Sequence, residues 1–171
     1  MKITDIKTFL MMAGSPASKE STSWSKRNWC FVKVYTDEGI TGLGEGSGWP
    51  KVVETAINDL KPIVIGEDPM NIERIWQKML VSTMGAGMTG TPGSGSMNAI
   101  DMALWDIKGK ALNTPVWNLL GGKVRDRIRA YGHAKTPEGA LELKERGLTA
   151  VKTGGVHRTV EKVDAIRKAI G

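Results

Sequence analysis

The period of the apolar positions changes along the chain. Residues 2–12 alternate, with Ile3, Ile6, Phe9 and Met11 apolar and Thr4, Asp5 and Lys7 polar between them. That pattern predicts a strand. Residues 28–36 repeat it, with Cys30, Val32 and Val34 on one face. Asp37-Glu38-Gly39 is a turn and residues 40–45 a third strand, so the chain opens with an antiparallel three-stranded meander. Helical spacing then takes over. In residues 51–65, Val52, Val53, Ala56, Ile57 and Leu60 share a face behind Pro50, and Pro62 is expected to end the regular part. Residues 71–81 predict a second helix through Ile72, Ile75, Trp76 and Met79, and residues 82–95, rich in Gly, Ser and Thr, a loop. From residue 96, with Ser96 as N-cap, Met97, Ile100, Leu104, Ile107 and Ala111 predict a buried helix. Ala99 and Ala103 on that face leave room for a close neighbour. Thr114-Pro115 restarts the chain as a short helix that Leu119-Leu120-Gly121-Gly122 closes.

After residue 122 strands and helices alternate. Residues 127–131 read as a strand ending at Gly132-His133. Residues 137–146 read as a helix with Thr136 as N-cap and Ala140, Leu141 and Leu143 apolar. Residues 148–152 are a second strand. Residues 159–170 are a helix carrying Val160, Val163, Ile166, Ala169 and Ile170. The expected domains are therefore 1–122, an α+β unit of meander plus helical bundle, and 123–171, two βα units of an incomplete (β/α) barrel.

Composition narrows this. With 171 residues the chain holds one domain, or one and part of a second, since a full barrel needs about 250 residues by itself. Forty per cent hydrophobic residues and six Trp suffice for a core. The single cysteine, Cys30, excludes an intrachain disulfide and reads as a small core residue. Neither a leader-like nor a membrane-spanning apolar run is present, so the expected setting is soluble and cytoplasmic, with no membrane partner. The net charge of +6 calls for an acidic partner only where it clusters. Lys123, Arg125, Arg127 and Arg129 cluster at alternate positions, which reads as a solvated approach to a strand. Nucleic acid is not the expected partner, because no aromatics interleave the charges.

Two stretches carry candidate chemistry. Gly44-Glu45-Gly46-Ser47-Gly48-Trp49 is not a dinucleotide fingerprint, since no crossover with a ribose-binding acid follows. It reads as a close backbone turn. Residues 14–26 are small, polar and serine-rich and read as a loop, with Trp24 its apolar contact. Lys152 and His133 end the two strands of the second domain, where barrels place catalytic groups. On the residues alone, a strand-end lysine is a solvated charge and a lone histidine a structural one. His157, after the Gly154-Gly155 turn, ranks below His133.

The wording of residues 99–122 adds what the pattern cannot. Ala-Ile-Asp-Met-Ala-Leu-Trp-Asp-Ile-Lys-Gly-Lys, then Pro-Val-Trp-Asn-Leu-Leu-Gly-Gly, resembles the mandelate racemase and muconate lactonizing enzyme branch of the enolase superfamily. There the segment ends a capping domain and leads into a barrel. The resemblance extends over the whole chain, which is under half the length of a family member. It implies that the loop around Trp24 closes over the barrel mouth and that the loop of Trp49 lines the site, making both substrate contacts; His133 is a further candidate contact because its strand end would face the same mouth. The family's Lys-x-Lys lies five and seven residues after a glycine. Lys152 is five after Gly147 and matches the first lysine; Gly154 replaces the second, which in many members takes the proton alpha to a carboxylate. Lys152 is thus the implied catalytic residue, holding a substrate carboxylate or stabilising an enediolate. Three acidic Mg²⁺ ligands on later strands, and a His–Asp pair on the opposite face, are absent from this sequence, so none of its residues is expected to bind the metal.

The expected function is the N-terminal part of a Mg²⁺-dependent acid-sugar dehydratase, inactive alone. A racemase, epimerase or cycloisomerase, a non-catalytic assembly module and a basic nucleic-acid binder are the alternatives. Two βα units leave unpaired edges and apolar positions, which predicts a homo-oligomer, or else a mobile tail.

Overall fold

The computed structural model describes residues 1–13, 27–84, 90–154 and 159–171. Trp24 and His157 lie outside the described residues. The chain divides into two compact units, Met1–Gly122 and Lys123–Gly171.

In the first unit, β1 (Ile3–Ala13), β2 (Arg27–Thr36) and β3 (Thr41–Gly46) form an antiparallel sheet in chain order. Cys30 sits opposite Leu10 and Gly46, and Val34 opposite Ile6 and Gly42. One face is covered by α1 (Pro50–Val64), α2 (Ile72–Met84) and α3 (Thr91–Ala111), followed by the single turn α4 (Val116–Leu119). Ile3, Ile6, Val32 and Val34 meet Ile57, Leu60, Ile75, Met79, Ile100, Leu104 and Ile107 in one core. Each fully buried side chain of this size contributes about 1.5–3 kcal/mol. Cys30 belongs to that core, where burial pushes its thiol up to about 11 and leaves it unreactive.

The close neighbour that Ala99 and Ala103 admit is β3. A Cβ at Gly42 would lie 1.9 Å from the Ala103 carbonyl oxygen, and one at Gly44 1.9 Å from that of Ala99. Alternate glycines on the strand thus face alanines spaced one turn apart on the helix, and backbone meets backbone. Asp106 stitches the same seam. Its Oδ2 accepts from the Leu43 N–H at 2.8 Å and from Lys110 Nζ at 2.7 Å, and Lys110 also donates to the Thr41 carbonyl at 2.7 Å. Two polar residues of the Trp-Asp-Ile-Lys-Gly-Lys wording therefore close the exposed edge of β3 rather than perform chemistry.

Three boundaries in this unit differ from expectation. α3 begins at Thr91, so Ser96 is no cap: it is buried, and its hydroxyl donates to the Gly93 carbonyl at 2.8 Å. Gly95 is glycine for space, since its Cβ would lie 2.3 Å from the Ser47 carbonyl oxygen. α1 continues past Pro62 to Val64, which is fully buried, and α2 runs on to Met84 because Thr83 is buried and bonds back to the Met79 carbonyl. Val52, expected inward, is exposed, as are Phe9 and Met11.

The second unit holds β4 (Gly132–His133), α5 (Pro137–Glu145), β5 (Val151–Lys152) and α6 (Val160–Ile170). β4 and β5 pair in parallel, the geometry of two successive βα units. Thr136 caps α5 as expected, its Oγ1 accepting from the Gly139 N–H at 3.2 Å. The expected strand over 127–131 is replaced by β4, immediately after it. Residues 123–131 are all exposed, and β5 offers a ladder to Gly132 and Ala134 only, through the carbonyls of Ala150 and Lys152. Alternation without a pairing partner does not make a strand.

Candidate functional site

Successive residues of a strand point to opposite faces, and the helices of the second unit take one of them. Val151 packs with Leu143 and Ile170 around buried Ala134, Ala140 and Ile166. Gly132 lies on that side too: its Cβ would come within 2.5 Å of Leu143 Cδ2, so glycine lets α5 settle on the strand. His133 and Lys152, one residue further along each strand, therefore share the opposite, open face as direct register partners. Tyr131 joins them. Its ring centroid is 5.7 Å from that of His133, and Lys152 Nζ lies 6.0 Å from the Tyr131 centroid.

Register decides which face the lysine takes, and a slip of one residue would turn it toward the helices. With only two ladder residues per strand, the register needs further support. Arg129 supplies it: its Nε donates to Thr149 Oγ1 at 2.9 Å, and its Nη2 donates to the Thr149 carbonyl. Among the described residues no carboxylate pairs with Lys152 or His133. The surroundings are basic, since residues 123–171 hold 12 Lys and Arg against 6 Asp and Glu, whereas residues 1–122 hold 12 of each. The whole net charge of +6 thus sits on this unit, which favours anions near it.

Lys152 and His133 are therefore brought together. Trp49 lies in the first unit, where it precedes α1 and is 78% exposed, so its indole has no packing role there. Gly154 follows β5 with ordinary backbone angles, and no described atom lies within 4 Å of where its Cβ would be. Among the described residues nothing in backbone or space requires glycine there. Two open depressions in the first unit, one lined by Asp106, Lys110 and Asn113 and the other by Pro62, Glu67 and Lys78, contain none of the predicted residues. Tyr131 and Arg129 escaped the sequence reading. Tyr131 ends the expected strand 127–131, which the structure does not form, so strand parity did not mark its ring as a neighbour of His133; Arg129 was grouped with the solvated charges.

Residues 4–121 match the family described as "Mandelate racemase / muconate lactonizing enzyme, N-terminal domain". The chain belongs to this family. D-galactonate dehydratase of Klebsiella pneumoniae (strain 342) is 39% identical in an alignment covering 88% of this chain and 44% of that protein. Among solved structures, the 3,6-anhydro-D-galactonate cycloisomerase of Zobellia galactanivorans superposes with a TM-score of 0.87 at 34% identity, over 100% of this chain and 48% of that one. A member of the enolase superfamily from Salmonella Typhimurium gives 0.82 at 31%, over 99% and 52%. The chain thus spans about half the length of these relatives, as a mandelate racemase-type capping domain followed by the start of a barrel.

The superfamily generally uses Mg²⁺, and the described residues do not fit that ion. No three His, Cys, Asp or Glu side chains among them converge. The acids of the second unit lie on α5 and α6 or, as Asp126, pair with Lys123 at 3.1 Å; none ends a strand. Among the described residues no helix is long and apolar enough to cross a membrane.

Proposed function

We propose that these residues are the N-terminal part of a magnesium-dependent acid-sugar dehydratase, and that Lys152 binds the carboxylate of its substrate. The observation that carries the reading is the placement of Lys152: it ends a parallel strand, on the face away from the helices, beside His133 and with no acidic partner among the described residues. A carboxylate bound there gains negative charge as its alpha proton leaves, and a fixed ammonium stabilises that enediolate. Position 154 provides no base. The proton would then leave from the other face, to a group outside these residues. Expulsion of the β-hydroxyl follows, and the resulting enol tautomerises to a 2-keto-3-deoxy acid. Trp24 and Trp49 would contact the sugar chain from the cap. The magnesium ligands would likewise come from outside these residues, so the 171-residue chain alone is expected to be inactive, and a homo-oligomer remains its expected state.

The resemblance to D-galactonate dehydratase supports dehydration; the structural likeness to a cycloisomerase supports the second reading, isomerisation of a related acid. Both begin at the carbon alpha to the carboxylate, and the product separates them. Reading the gene past codon 171 and assaying the encoded protein is the test. Acidic residues at three successive strand ends, with formation of a 2-keto-3-deoxy acid, support the proposal. An isomer of the same mass as the substrate contradicts dehydration, and the absence of the acidic residues contradicts both readings.

A further inference from the structure

We infer that Tyr131 is a positioning residue that, with His133 and Lys152, makes one carboxylate-binding unit for hydroxy acids; this rests on the reading of Lys152 given above. Three observations converge. His133 and Lys152 are register partners, so strand parity puts both side chains on the face that α5 and α6 leave open, and the ring of Tyr131, the residue just before β4, lies beside them. The Tyr131 ring touches both neighbours, at 5.7 Å to the His133 ring and 6.0 Å to Lys152 Nζ. Finally, no described carboxylate neutralises the pair, on a unit that carries the entire net charge.

The physics follows from the four-carbon stem of lysine. An exposed ammonium on such a stem samples many rotamers, and fixing it for one ligand costs entropy. An aromatic face attracts the cation and narrows the rotamers before the ligand arrives. The same ring packs against the imidazole, leaving the His133 nitrogens to serve the hydroxyl beside the carboxylate. Arg129 acts one step further back: its bonds to Thr149 hold the register that sets Lys152 beside His133. A two-residue ladder needs such a lock.

The test uses the 171-residue chain, NMR of the Lys152 ε-methylene and the His133 ring, and D-galactonate as probe. In the free protein the lysine methylene should show an upfield ring-current shift. Tyr131→Phe should keep it and Tyr131→Leu should abolish it, while the amide spectrum of residues 132–152 stays unchanged. On titration, both side chains should respond in the parent and in Tyr131→Phe, with Tyr131→Leu binding about two- to fivefold more weakly. An unshifted methylene in the free parent protein overturns the role of Tyr131. So does equal affinity in Tyr131→Leu, and either result leaves Lys152 as carboxylate binder intact. A normal ring-current shift with no response of Lys152 to the carboxylate has the opposite meaning: the ring holds the lysine, and the binding unit, together with the reading beneath it, is wrong.

Discussion

Glu67 shows how one side chain ties three elements together. Its backbone carbonyl accepts from the Ile3 N–H at 2.9 Å, joining the turn after α1 to β1. Its carboxylate accepts from Lys78 and, at 3.2 Å, from Arg74 Nε, both on α2. The Lys78 bond, against the cost of partial burial and helped by Arg74, holds the carboxyl below its ordinary value of 4.5. A depressed carboxyl contributes stability above its unfolded value, and loses it as pH falls through the folded one. Glu67→Gln should therefore lower Tm by a few degrees at pH 7, by an amount that shrinks as the pH falls below 4.5, as thermal melts at pH 7 and in acid will show. A deficit that stays constant as the pH falls would mean that packing, not charge, is at work. No such titration was legible in the sequence, where Glu67 lies in a turn and its partners are seven and eleven residues away.

Among the elements, the seam between β3 and α3 is the decisive one. The alanines of α3 announced a close neighbour, and the Gly-x-Gly-x-Gly alternation of residues 42–46 is its other half. Gly44→Ala should destabilise by about 1–3 kcal/mol or more, since its Cβ would fall 1.9 Å from a backbone oxygen that no rotamer change can move. Urea unfolding measures this directly, and a loss under about 0.5 kcal/mol would show that the seam can open. Apolar periodicity made the meander and the helices legible because each buries one face. It failed where small residues serve packing instead of flexibility, as at Gly93 and Gly95, which read as a loop, and Ser96, which read as an N-cap; all three lie inside α3. It failed again at residues 127–131, whose alternation is of charge and has no partner strand to pair with. At the site, strand-end position marked Lys152 and His133, and only the family resemblance singled out the lysine from an ordinary solvated charge. The ring of Tyr131 and the clamp of Arg129 are contacts across space, which spacing alone does not reveal.

On the scale of the whole molecule, chemistry and packing are divided between the units. The first unit is neutral overall, has the large core and accounts for the family wording. The second is basic, has among its described residues a core of three buried side chains, and ends its strands with the candidates Lys152 and His133. The central claim is that Lys152 makes this unit a carboxylate site. Calorimetric titration of the 171-residue chain with D-galactonate, and with the uncharged galactitol as control, tests it most directly. The account predicts saturable binding of the acid, none of the alcohol, and affinity about tenfold or more weaker in Lys152→Met, as befits the loss of a charge-assisted hydrogen bond. Equal binding of D-galactonate by the parent chain and by Lys152→Met would contradict it.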